Sequence, residues 1–102
     1  MDTVELISRK MTTTYEIAFY KAGSRTGGYK VTTAQAAMDE FAGCVERYTA
    51  IGGFYIEDST ADNYTVVDLS AAEITIKLIG VIDDVMKATL KKKWDDLLNK
   101  RQ

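Results

Sequence analysis

The sequence predicts an α+β domain: a four-stranded, mainly antiparallel sheet in the order ββαββα, with one packed helix and a long C-terminal helix. Three patterns carry that expectation. Short alternating segments come in two pairs, each around turn-forming residues. One amphipathic helix lies between the pairs. An apolar i, i+4 ladder runs through the end of the chain.

In TYEIAFY (14–20), Tyr15, Ile17 and Phe19 alternate with Glu16, Ala18 and Tyr20, the period of a half-buried strand. KAGSRTGGYK (21–30) holds three of the seven glycines and reads as a hairpin loop, because glycine supplies the positive φ that such loops need. YKVTT (29–33) is the returning strand. Thr32 or Thr33 then opens a helix, and Thr32 with Gln35 fits a capping box. Met38, Phe41, Val45 and Tyr48 recur at helical spacing until Gly52 and Gly53 end the helix near Ile51. FYIEDS (54–59) and YTVVDL (64–69) form a second hairpin around TADN, where Asp62 and Asn63 suit a turn.

EITIKLIG (73–80) carries two conflicting signals. It alternates like a strand, yet Ser70 and Glu73 make the S-x-x-E capping pattern, with Leu69 and Ile74 placed as a hydrophobic staple. Ile74, Leu78, Val81, Ile82 and Val85 also fit helical spacing, so residues 70–101 are expected to be helical, kinked at Gly80. Ile82, Met86, Leu90, Trp94 and Leu98 form the ladder of its second tract. Residues 1–11 read as an arm or short helical turn, and the whole chain as one domain.

At 102 residues the chain builds one modest core. Its 46% apolar and 27% charged residues are ordinary for a globular protein. A net charge of −2 and a pI near 5.1 lack the basic excess through which nucleic-acid binders gain affinity, so such binding is disfavoured. No stretch has the length of a bilayer span, the N-terminus lacks a signal-peptide core, and a single cysteine fits a reducing compartment. A cytoplasmic protein without membrane attachment is expected. With no histidine, the commonest general base and metal ligand are missing. No catalytic residues, metal or cofactor are assigned.

The glycine run matches neither the Walker loop nor the dinucleotide fingerprint. Its hairpin reading is preferred. The alternative is a nest of Gly27–Gly28 amides that holds an anion with Arg25 and Lys30. On the sheet, Ile17, Phe19, Phe54 and Ile56 are expected to face the helix. Tyr20 and Tyr55 then face away with Glu16, Lys30 and Glu57, joined by Tyr64, as a recognition surface. Lys91–Lys93 beside Trp94 are diluted by Asp95 and Asp96 and read as a solvated helix face. Asp58, Asp62, Asn63 and Asp68 lack calcium-loop spacing. Cys44, mid-helix, reads as a packing residue.

Apolar surface sets the expected assembly. A 32-residue helical tail would extend about 45 Å, whereas a four-stranded sheet is roughly 20 Å wide and one helix already covers it. Met86, Leu90, Trp94 and Leu97 or Leu98 would be left for a partner, so a dimer or higher homo-oligomer is expected. The functional expectation is a small non-enzymatic accessory protein, of the kind carried by phages and mobile elements, that sequesters or inhibits a protein partner. The alternative is a receptor for a phosphate-bearing, nucleotide-like ligand at Arg25, Gly27, Gly28, Lys30, Tyr20 and Tyr55. A nucleic-acid binder is the lesser alternative.

Overall fold

A computed structural model describes residues 14–49, 53–68 and 73–101. The elements are β1 (Tyr15–Lys21), β2 (Ser24–Val31), α1 (Ala34–Tyr48), β3 (Phe54–Ser59), β4 (Asn63–Asp68), β5 (Ile74–Ile79) and α2 (Asp84–Lys100). The α+β class is borne out, with five strands among the described residues instead of four. All ladders are antiparallel and the spatial order is β2-β1-β5-β4-β3.

The first hairpin turns earlier than expected. Ala22 (φ 50°) and Gly23 (φ 86°) are both left-handed, the signature of a two-residue type I′ turn. Lys21 and Ser24 pair across it. Gly27 and Gly28 therefore lie inside β2, opposite Phe19 and Ala18. Thr26 is the extra residue of a bulge that re-aims the strand.

Thr33 caps α1, its hydroxyl accepting from the Ala36 amide at 3.1 Å. Gln35 instead binds Asp39, at 3.1 Å. The helix stops at Tyr48, and Arg101 reaches across to its carbonyl end, donating to the Glu46 oxygen at 3.0 Å. The expected stop at Ile51–Gly52 lies outside the described residues. The second hairpin matches expectation, and Thr60, Asp62 and Asn63 bond one another in its turn.

Residues 74–79 correct the helical reading. They are β5, the central strand, flanked by β1 and β4. Glu73 has φ 55°, which no third residue of a helix adopts. Ser70, the expected cap, lies outside the described residues. The helix starts instead at Asp83, whose carboxylate accepts from the Met86 amide at 2.8 Å. Gly80 (φ 151°) ends the strand, and the Tyr15 ring lies against it where a side chain would stand.

Both helices cover the same face of the sheet. Phe41 of α1 meets both Tyr64 of β4 and Trp94 of α2, each with ring centroids 5.8 Å apart. The core comprises Ile17, Val66, Ile76 and Leu78 from the sheet, Phe41 and Val45 from α1, and Met86, Leu90, Trp94 and Leu97 from α2. This removes the apolar surplus from which assembly was argued. Leu90 is 0% exposed, and Met86, Trp94 and Leu97 are buried in their own chain. The fifth strand widens the sheet to roughly 24 Å, enough for two helices side by side at 8–10 Å spacing. Of the five residues expected at an interface, only Leu98 is exposed.

Candidate functional site

One face of the sheet carries the helices; among the described residues, no helix covers the other. Its rows follow from the registers. Arg25, Tyr20, Thr75, Val67 and Tyr55 line up across all five strands. Gly28, Ala18, Lys77 and Thr65 form the next row, and Lys30, Glu16, Ile79 and Asn63 a third. Alternation thus places five of the six expected ligand residues, Arg25, Gly28, Lys30, Tyr20 and Tyr55, on one surface. Gly27 points to the helix side.

The corner formed by β2, β1 and β5 is a small polar cluster. The Arg25 guanidinium lies across Gly28, which has no side chain to block it, and donates to the Glu16 carboxylate at 2.5 Å. That bond holds the Glu16 pKa below its usual value, with the guanidinium charge acting the same way against some desolvation. Lys77 sits 5.1 Å from the centroid of the Tyr20 ring, a cation–π contact. Arg25, Lys30 and Lys77 against Glu16 make the corner basic on an acidic chain. Tyr55 is about four strand spacings, ~19 Å, from Arg25. It lines a shallow depression of about 390 Å³ with Val67, Thr75, Ala22, Gly23 and Glu73. The face is therefore too broad for one small ligand to touch both ends.

Two expectations are corrected here. The Gly27–Gly28 amides belong to strand backbone and form no anion nest, and Arg25 already holds a carboxylate. Tyr64 faces the helices: its hydroxyl accepts from the Trp94 indole N–H at 2.9 Å, and burial raises its pKa despite that donor. Lys77 was missed because its segment read as helix.

Cys44 is buried beside the Tyr29 hydroxyl, which donates to Glu40 at 2.9 Å. Burial, with both neighbours, pushes the Tyr29 hydroxyl well above the usual phenol range. The groove between α1 and α2 has Ala42, Trp94 and Leu97 along it. It is rimmed by the Lys100–Glu46 and Lys93–Asp39 ion pairs at 2.7 and 3.1 Å, whose charges offset one another. Among the described residues, no three acidic, cysteine or histidine side chains gather as a metal site, and no helix is long and apolar enough to cross a membrane. No protein-family profile, curated protein or solved structure matches the chain.

Proposed function

We propose that the protein is a non-enzymatic binding module that sequesters or inhibits a protein partner through the open face of its sheet. The carrying observation is the one-sided layering. Among the described residues both helices lie on one face, and a row from Arg25 through Tyr20 and Val67 to Tyr55 lies on the other. Such a surface mixes tyrosine contact area with a basic corner, the composition of protein–protein recognition. Its breadth favours a macromolecular partner over a nucleotide, because the Gly27 and Gly28 amides lie in extended strand backbone and point to opposite edges instead of converging on an anion. The burial of Cys44 and the engagement of Glu16 and Asp39 in ion pairs support a role without catalysis. The reading requires no second copy of the chain.

Site-specific photo-crosslinking in cells of the native host tests it. A photoreactive residue at Tyr55 or Lys77 should capture a discrete protein, whereas one at Lys91, exposed on α2, should not. Absence of a discrete adduct at Tyr55 and Lys77, or equal adducts at all three positions, refutes the proposal. A nucleotide that raises the melting temperature, with the shift abolished by Arg25→Ala, would transfer the role to the ligand alternative.

A further inference from the structure

We infer that the free edge of β2 accepts an added strand from the partner, an extended segment with apolar residues on the helix side and an acidic residue on the open face. The inference deepens the binding reading above by naming the edge and the chemistry of the segment. Among the described residues β2 is an edge strand, and residues 24–30 are all exposed. Beyond the Thr26 bulge, Gly27 to Val31 pair in unbroken register with β1. Five such residues give about 16 Å of regular backbone whose outer amides and carbonyls are available to a new ladder. The opposite edge differs. In β3 the register breaks at Glu57, between Ile56 and Asp58, which interrupts a continuous pairing edge.

The two sides of the β2 edge set the chemistry of the incoming strand. On the helix side, Gly27 leaves open space beside a hollow of about 280 Å³ lined by Phe19, Tyr48, Ile74 and Thr26. The Phe19 ring meets those of Tyr48 and Tyr29 at 5.6 and 6.2 Å, and both tyrosines are partly exposed. An apolar side chain from an added strand would enter beside Gly27 and cover these rings. Lys21 lines the same hollow, Arg47 lies 5.6 Å from the Tyr48 ring, and Glu40 is held by the Tyr29 hydroxyl. On the open face, Lys30 stands on the edge opposite Glu16 of β1, and Arg25, beyond the bulge, reaches back to the same Glu16 carboxylate. The open-face side chain of the added strand beside Lys30 would meet that cation, and Arg25 already holds Glu16, so an acid fits opposite Lys30. A second copy of β2 fits poorly. Antiparallel pairing centred on Gly27–Gly28 sets Arg25 opposite Lys30, a like-charge contact.

The test uses a labelled, end-capped decapeptide of alternating Val and Glu, with binding followed by fluorescence polarisation and backbone amide NMR. Binding should perturb Gly27–Val31 and slow exchange of amides along that edge. N-methylation of alternate peptide amides should abolish binding in one phase and spare it in the other. Gly27→Leu, a change the open space accommodates, should weaken binding at least ten-fold. Lys30→Glu should do likewise, and so should replacement of Glu by Lys in the peptide. Shifts confined to other elements, indifference to N-methylation, or unchanged affinity in Gly27→Leu would overturn the inference. So would a dimer by sedimentation that Gly27→Leu splits, because the edge would then belong to a second copy. Open-face crosslinks would survive these failures, and a bound peptide would survive their absence, so the two readings are tested separately.

Discussion

Adjacent glycines in β2 should respond oppositely to the same substitution. A methyl at Gly28 would stand 2.8 Å from the Ile17 carbonyl oxygen and 3.3 Å from the Ala18 Cα, both backbone atoms, and within reach of the Arg25 guanidinium. Arg25 can swing away; the β1 backbone, held between two ladders, cannot. Overpacking of that kind costs about 1–3 kcal/mol, against about 0.4–1 kcal/mol recovered from a less flexible unfolded chain. Gly28→Ala should therefore lose about 1–2 kcal/mol. At Gly27 nothing lies within 4 Å of the added carbon, so Gly27→Ala keeps the unfolded-state gain, about 0.4–1 kcal/mol. The gap of ~2 kcal/mol corresponds to roughly 8–16 °C in Tm for a domain of this size. Urea and thermal unfolding followed by Trp94 fluorescence measure it. Equal midpoints, or a more stable Gly28→Ala, would show that the β1 backbone does not lie this close to Gly28 and that the β1–β2 register is wrong.

Other expectations follow from the core and the ion pairs. Gly80→Ala should destabilise by about 1–3 kcal/mol, since φ 151° disfavours a side chain and the Tyr15 ring occupies its place; near-native unfolding would contradict this. Tyr64→Phe leaves the buried Trp94 N–H without its 2.9 Å acceptor and should cost about 1–3 kcal/mol, read as a lower urea midpoint. Leu90→Glu should unfold the chain, because Leu90 is 0% exposed; a folded variant of lower mass would instead restore the interface expected from sequence. Glu16, Asp39 and Glu46 all have pKa values below their usual ones, through Arg25, through Gln35 and Lys93, and through Lys100 respectively. Depressed carboxylate pKa values contribute stability above the unfolded-state pKa that is lost as pH falls through the folded one. Tm should therefore hold from neutral pH to about 4.5 and decline below it, with a shallower decline in high salt.

Local patterns made most of the fold legible. The alternation Ile17–Phe19 against Glu16–Tyr20 gave both the strand and its faces, and the same logic placed Tyr55 on the open side. α1 and the Met86–Leu90–Trp94 ladder declared themselves by period. What failed was set by distant partners. Residues 74–79 satisfy a helix-start pattern locally, but their backbone bonds go to β1 and β4, one of them nearly sixty residues upstream. Losing that strand hid Lys77 and made the apolar tail look surplus. The Gly27–Gly28 pair misled for a related reason. The turn fell on Ala22, an unusual residue at positive φ, and the glycines serve the passage of Arg25 and the hollow above Phe19. Tyr64 offered no local sign that its hydroxyl would meet Trp94.

The fifth of the described strands in sequence order is the middle strand of the sheet, and this fixes when the sheet can assemble. Among the described residues the β1–β2 and β3–β4 hairpins share no ladder with each other, and β5 joins them. A chain emerging from the ribosome carries two separate ribbons until residue 79 is free to slot between them, so assembly is a late, keystone event that depends on non-local closure. Before that moment four strand edges instead of two stand open, and shielding the nascent chain through that interval becomes a task for the cell.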